Sequence, residues 1–482
     1  MSDLIYPTLE LFVYNLAEGL GDNQEDIKQR RDGFLANLPR TIQNVLNPAF
    51  DKESIAGNRD YIELLKLAGA NASFQEFDTS LNNYALKGYY YPVLLKDTYG
   101  LVLDCSIDEK DIPQKLSCLR YLKQQADSIQ GDLGKTWIIS GSLPTPNTDS
   151  ETLAKNIYKA LLAEEKAKNL TDGAYETLIS QEWQYRKTGK FLSASVFEIW
   201  QTPQEWKSVE ENCHVLIFLY PNSQTMEAAT QFYEDWMRLL CYRNKIIWAY
   251  CETQQLKRQL QSGFKTIRET IPTVQKKAEL PKLQGILEKN VETFSNYVIN
   301  LNYLEIQRST IEVNRQNYQE YLNYIKNYIT TNASKFGDTD LNFLEDFSNI
   351  VQNKYQAQVK KDYESLLPGI AILENLLNTI RGIVEIEQAE RDHRIETQNT
   401  NFQNAVAVVG VGVGTASVIA SAVSPFVESI TQLPSKDANN RPLPTNAWLN
   451  FGIAFSISIA IGALLGWFTL VWLQSRRKHS NK

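Results

Sequence analysis

Apolar residues follow three successive patterns along the chain. From residue 1 to 251, short runs rich in Val, Ile and aromatic side chains alternate with helical stretches. The runs "TLELFVYNL" (8–16), "YYYPVLL" (89–95), "GLVLDCSI" (100–107), "KTWIISGSL" (135–143), "FLSASVFEIW" (191–200), "HVLIFLY" (214–220) and "KIIWAY" (245–250) predict strands. Between them, 150–169 and 224–240 predict helices. Strand 213–220, helix 224–240 and strand 245–250 form a short βαβ-like unit, so the expected packing is an α/β sandwich on a mixed sheet.

From 252 to 424 the periodicity is helical. Apolar residues recur at Leu280, Leu283, Leu287, Val291, Phe294, Val298, Leu301 and Leu304, then at Ile311, Tyr318, Leu322, Ile325 and Ile329. This near-heptad stripe predicts a long helix packed lengthwise on another, as in a coiled coil. The partner is expected over 341–367, after "GDTD", where Asp338 or Asp340 can cap it. Pro368 opens a third helix with the stripe Ile370, Leu373, Leu377, Ile380 and Val384. Continued from Gly369 to Val423, it would hold about 55 residues and reach roughly 80 Å.

The third pattern is uninterrupted apolarity. Ala405–Val427 is 23 residues without charge, and Ala447–Leu473 is 27 residues bracketed by Trp448, Trp467 and Trp472. A helix needs roughly 20 apolar residues to cross about 30 Å of hydrocarbon, and aromatics favour the interface. Both runs are therefore expected to be transmembrane helices. The expected order is a cytosolic α/β domain (1–251), an antiparallel helical arm (252–367) and a stalk helix (368–404). Then follow a first transmembrane helix (405–427), an external loop (428–446), a second transmembrane helix (447–473) and a basic cytosolic tail (474–482).

Charge refines this picture. Arg391 and Arg394 precede the first run and Arg476, Arg477 and Lys478 follow the second, which the positive-inside rule places in the cytoplasm. The start lacks a basic flank and apolar core, so no signal peptide is expected. These features predict an integral protein of an inner or plasma membrane with both termini cytoplasmic. The five cysteines (Cys105, Cys118, Cys213, Cys241, Cys251) make no Cys-x-x-Cys, and with three histidines they suggest free thiols in a reducing compartment. A net charge of −7 without a basic block speaks against nucleic acid as a partner.

A soluble α/β domain, a helical arm, a stalk running into the first of two C-terminal spans and a basic tail resemble the CorA-type divalent-cation transporter superfamily. The resemblance implies five chains around one pore lined by the first span. The family's Gly-Met-Asn triplet is absent: its place reads "SAVSPFVESI", and the only methionines are Met1, Met226 and Met237. Magnesium keeps its water and needs a site matched to a hydrated octahedron, so magnesium selectivity does not carry over.

Steps of three and four along the first run give a lumen face of Asn401, Asn404, Val408, Val411, Thr415, Val418 and Ala422. The family likewise has asparagine at the inner mouth. The adjacent face, with Ala407, Gly410, Gly414, Ser417 and Ser421, carries small residues that let helices approach closely in lipid. The two faces can also be exchanged.

Other signals carry less. "GKT" (134–136) lacks the first glycine of a phosphate loop, which falls at Ile129, and leads into a strand. Cys213 and His214 are strand neighbours on opposite faces, which disfavours pairing for catalysis. Asp235 and Trp236 read as a surface residue and a core anchor, and Tyr89–Tyr91 as strand formers needing no ligand. No enzyme active site and no cofactor motif can be assembled. The expected function is a homo-oligomeric, pentameric CorA-like ion channel or transporter gated by its cytosolic domain, with a divalent cation or soluble ligand as partner. The alternatives are a membrane-anchored ligand sensor or scaffold without conduction, and a signal-activated effector pore.

Overall fold

The computed structural model describes residues 3–19, 21–50, 60–166, 171–275, 280–332 and 335–392. It shows an N-terminal α/β sheet region followed by long helices. In chain order the elements begin with β1 (Asp3–Leu16), α1 (Gln24–Ala36), α2 (Arg40–Phe50), β2 (Ile62–Glu63) and α3 (Leu64–Leu67). Next come β3 (Gln75–Leu81), β4 (Tyr84–Leu95), β5 (Thr98–Ile107), β6 (Pro113–Lys115) and α4 (Leu119–Gln124). The sheet continues with β7 (Gly134–Ser142), α5 (Ser150–Lys166), α6 (Asp172–Trp183), β8 (Lys187–Phe191), β9 (Ala194–Gln201) and β10 (Cys213–Tyr220). Helices α7 (Ser223–Ala229), α8 (Tyr233–Gln275), α9 (Leu280–Thr331), α10 (Asn342–Ile350), α11 (Ala357–Leu366) and α12 (Pro368–Asp392) complete the description.

The chain divides into two units. Among the described residues, one comprises those up to Cys251 and Asn314–Lys354, the other Glu252–Val313 and those from Tyr355 to Asp392. In the first, ten strands form one sheet in the order β2-β4-β5-β1-β7-β10-β9-β8, with β3 beside β4 and β6 beside β1. Only the β7–β10 pair is parallel among the described strands. Side chains alternate across the strands, so the sheet has two distinct faces. One is apolar: Leu9, Leu11, Leu103, Ile139, Val215 and Ile217 pack with Leu122, Ile157, Leu161 and Ile179 of α4, α5 and α6. The opposite face meets the start of α8, where the Tyr14 hydroxyl donates to the Met237 carbonyl at 2.8 Å.

The hairpin between β8 and β9 turns on Leu192 and Ser193, both at positive φ (50° and 67°). Neither residue favours that region. Outside bonds hold it there: Leu192 N–H donates to Thr339 Oγ1 at 2.9 Å, and Lys190 and Asp340 exchange backbone hydrogen bonds at 2.9 and 2.8 Å. Asp340 Oδ1 also accepts from the Asn342 N–H at 3.0 Å, at the start of α10.

In the second unit, α12 buries Leu373, Leu377, Ile380 and Val384 of the stripe read from sequence, while Ile370 is half-buried. The part of α9 in this unit buries Leu283, Leu287, Phe294, Leu301 and Leu304, and the Tyr297 hydroxyl donates to the Leu366 carbonyl at 2.7 Å.

Two corrections follow. "KIIWAY" is not a strand but belongs to α8. Ile246, Ile247, Ala249, Tyr250 and Cys251 are all buried, and burial around most of the helix blurs the periodicity that separates helix from strand. The second correction concerns the membrane. Among the described residues no helix is long and apolar enough to cross one. The long helices are interrupted by charge, as at Lys282, Glu288, Lys289, Glu292, Glu305 and Arg308 of α9. For the described residues, the expectation of a membrane protein with transmembrane helices for ion transport is corrected on that finding. The runs 405–427 and 447–473 lie outside the described residues.

Candidate functional site

The second face of the sheet is polar where a core would be apolar. In β1 the alternation that buries Leu9 and Leu11 on one side turns Thr8 and Glu10 to the other. The strand register sets Glu10 opposite Asp104 of β5 and Ile138 of β7, and Thr8 opposite Ser106 and Ser140. Thr8 and Ser106 share a hydrogen bond of 2.9 Å. Glu10 and Asp104 are each only 7 % exposed.

This polar floor lies under a cavity of about 670 Å³, within the range of small-molecule sites. Tyr89 and Tyr91 of β4 form one wall, Phe218 and Tyr220 of β10 another, and α7 with the start of α8 contributes Met226, Tyr233 and Trp236. The Tyr233 hydroxyl donates to Glu10 Oε1 at 2.5 Å. At the far end, Ser142 is 3 % exposed and its hydroxyl has no hydrogen-bond partner among the described residues. A buried hydroxyl takes a hydrogen-bond partner from protein, water or a ligand. The rim holds Tyr6 at φ 48°, where a bulge shifts the β1–β7 register between Ile5 and Thr8. Bulges re-aim side chains beside functional sites.

Burial sets the charge state of the floor. It raises the Glu10 carboxyl to about 7, against the hydrogen bond from Tyr233. It drives Asp104 well above the usual carboxylate range, and the neighbouring Glu10 charge adds to that, opposed by hydrogen bonds from Tyr233 and Ser106. Two carboxyls that cannot both ionise cheaply hold a proton between them near neutral pH. The arrangement can bind a cation, which would release that proton, or donate a hydrogen bond from the protonated partner.

A second polar cluster on the same face resembles a catalytic relay. Asn244 Nδ2 donates to Thr136 Oγ1 at 3.2 Å, and Thr136 and His214 Nδ1 share a bond of 3.0 Å. His214 Nε2 reaches Glu198 Oε1 at 3.0 Å, and Arg243 reaches the same oxygen at 3.4 Å. The carboxylate can only accept, so Nε2 carries the hydrogen and Nδ1 accepts from Thr136. Burial, then the Arg243 charge, lowers the His214 pKa to about 4, which keeps the ring neutral. Burial pushes the Glu198 carboxyl up, but His214 and Arg243 more than reverse this and hold it below its usual range. Thr136 and His214 are wholly buried and do not line the cavity, so no substrate reaches them. Arg243 lies between the rings of Trp200 and Phe347, 4.5 and 4.4 Å from their centroids. The cluster is a structural clamp under α8.

The expected lumen residues (Asn401, Asn404, Val408, Val411, Thr415, Val418, Ala422) and helix-contact residues (Ala407, Gly410, Gly414, Ser417, Ser421) lie outside the described residues. The glycine of "GKT" opens β7 at φ 116° and its threonine joins the clamp, so the motif cradles no phosphate. Asp235, read as a surface residue, is buried and accepts from the Tyr321 hydroxyl at 3.0 Å. Tyr89 and Tyr91, read as strand formers only, line the cavity. Glu10 and Asp104 were missed; the signal was one acid in each of two otherwise apolar strands, "TLELFV" and "LVLDCS". Among the described residues no group of three or more His, Cys, Asp or Glu side chains is placed to hold a metal ion.

No protein-family model matches this chain, and no curated protein or solved structure is significantly similar to it. The reading as a CorA-like pentameric, coiled-coil homo-oligomer therefore finds no family match to rest on, and is set aside with the membrane description.

Proposed function

We propose that this chain is a ligand sensor, and that its first unit binds a small molecule in the cavity over the polar face of the sheet. One observation carries the reading. A cavity of about 670 Å³ has the buried carboxyls of Glu10 and Asp104 at its floor and the unpartnered Ser142 hydroxyl at its far end. A fold selected for stability alone would fill such a space with apolar side chains, since buried polar groups without partners destabilise it. Polar groups converging on an aromatic-walled cavity are the usual form of a ligand site.

The site binds without transforming its ligand. The Thr136–His214–Glu198 relay is sealed away from the cavity, and neither cysteine nor histidine lines it. The test is thermal unfolding of the full chain against a panel of small molecules sorted by charge, followed by recovery of the bound compound. The expected result is a saturable rise in Tm with one chemical class, and release of that compound unchanged. No rise with any class would overturn the reading, and recovery of a converted product would replace it with an enzyme.

A further inference from the structure

We infer that the cavity takes an organic cation, a primary ammonium on a compact aromatic or apolar body, with the ammonium seated between Glu10 and Asp104. This rests on the ligand-sensor reading and names its ligand class. Acids outnumber bases in the lining: Glu10 and Asp104 on the floor with Glu227 and Glu234, the last paired with Arg238 at 3.0 Å, against one basic side chain, Lys110. Lys110 is itself engaged over the Tyr6 ring, 5.7 Å from its centroid. An anionic ligand would meet repulsion at the floor, and a neutral one would leave the carboxyl pair without compensation.

The walls agree with the floor. Tyr89, Tyr220, Tyr233, Phe218 and Trp236 present rings, and ring faces attract cations. A calcium ion is poorly served, because it takes about six to eight oxygens and no group of three or more ligating side chains is found among the described residues. An ammonium needs few acceptors and gains from the rings.

Ser142 supplies a second polar residue in the lining. It lies four residues along β7 from Ile138, the residue opposite Glu10, roughly 13 Å further along the strand. A para-hydroxylated phenethylamine carries an ammonium and a hydroxyl at opposite ends of a ring, which suits a cavity with acids at one place and a serine further along.

Binding then couples to protons. Asp104, Tyr89, Tyr220 and Tyr233 are the titratable groups facing Glu10 from β5, β4, β10 and α8. An arriving ammonium favours both carboxylates ionised, so the proton held by the pair leaves to solvent as the ion pair forms.

The test uses the full chain and three probes on one skeleton: tyramine, tyrosol and 4-hydroxyphenylacetate. Calorimetric titration at pH 7, in buffers of differing ionisation enthalpy, gives affinity and proton count. The expected result is tyramine binding at least about tenfold tighter than tyrosol, with 4-hydroxyphenylacetate weakest and release of up to about one proton. Glu10→Gln and Asp104→Asn should each reduce that discrimination, and the unmodified chain alone decides the order if either variant fails to fold. Equal or tighter binding of tyrosol or 4-hydroxyphenylacetate overturns the ammonium assignment but leaves the sensor reading standing. So does binding of none of the three when other compounds of the panel bind. Displacement of tyramine by Ca²⁺ or Mg²⁺ alone, with a comparable rise in Tm, overturns it in favour of a metal. Failure of the whole panel defeats the sensor reading itself.

Discussion

Glu10 and Asp104 face one another across the β1–β5 ladder as direct partners, each almost fully buried on the floor of the same cavity. Like charges directly opposite on a sheet are destabilising, and burial multiplies the effect. The pair is tolerable because one proton is retained and Tyr233 donates to Glu10. Sites that hold such a pair sacrifice stability for binding.

The stability cost gives a pH prediction. Burial raises the Glu10 carboxyl to about 7, above an unfolded value of about 4.3. Between those values the native state holds more protons, so stability is fully present below about pH 4.3 and lost as pH rises through about 7. The loss is on the order of 3 kcal/mol. Glu10→Gln should flatten this decline in denaturant titrations from pH 5 to 8. An unchanged slope would show that the Glu10 carboxyl is not perturbed.

The clamp predicts the opposite limb. His214 is lowered to about 4 from an unfolded value of about 6.5, so its contribution is present above about pH 6.5 and lost as pH falls toward 4. Thr136→Val leaves Nδ1 without its donor and should cost about 1–3 kcal/mol near pH 7, while Thr136→Ser should cost much less. Urea midpoints of the two variants check this. Equal losses would mean that the hydroxyl bond is not what matters.

Arg243→Ala is expected to be among the most disruptive changes in the first unit. It strands the buried Glu198 carboxylate and empties the slot between Trp200 and Phe347. Removing one partner of a buried pair costs about 3–5 kcal/mol. A loss below about 1 kcal/mol in chemical denaturation would show that water reaches the site.

Much of the sheet was legible because its apolar face alternates cleanly. Leu9–Leu11, Leu101–Leu103 and Val215–Ile217 announce their strands, and the stripe through Leu373, Leu377, Ile380 and Val384 announces α12. The start of α8 was legible within the helix read over 224–240, but its continuation at 245–250 was not, because Ile246, Ile247 and Tyr250 are buried on a helix enclosed on several sides, where alternation and helical period look alike over a short run. The candidate site was illegible for another reason. Glu10 and Asp104 lie 94 positions apart, and only the β1–β5 register brings them together. Tyr89 and Tyr91 serve strand propensity and the cavity wall at once, and sequence alone shows only the first role.

Two glycines should respond in opposite directions. A Cβ at Gly189 would lie 2.4 Å from Phe343 and 2.5 Å from the Asp340 carbonyl, whereas one at Gly285 in α9 meets nothing within 4 Å. Gly189→Ala should lower stability by about 1–3 kcal/mol through overpacking. Gly285→Ala should raise it by about 0.5–1 kcal/mol through helix propensity. Differential scanning calorimetry of both variants decides it; a stabilising Gly189→Ala would contradict the close approach of β8 to the 337–343 segment.

The most direct test of the central claim is occupancy of the cavity. Ser140 lies on its floor between Thr8 and Phe218, so Ser140→Phe should fill the space while leaving Glu10 and Asp104 themselves unchanged. The measurement is equilibrium binding of the tightest compound from the panel to the full chain and to this variant, with folding confirmed by circular dichroism. The account predicts one-to-one binding that weakens at least about tenfold in Ser140→Phe. Undiminished binding by the folded variant would place the ligand elsewhere and contradict the account.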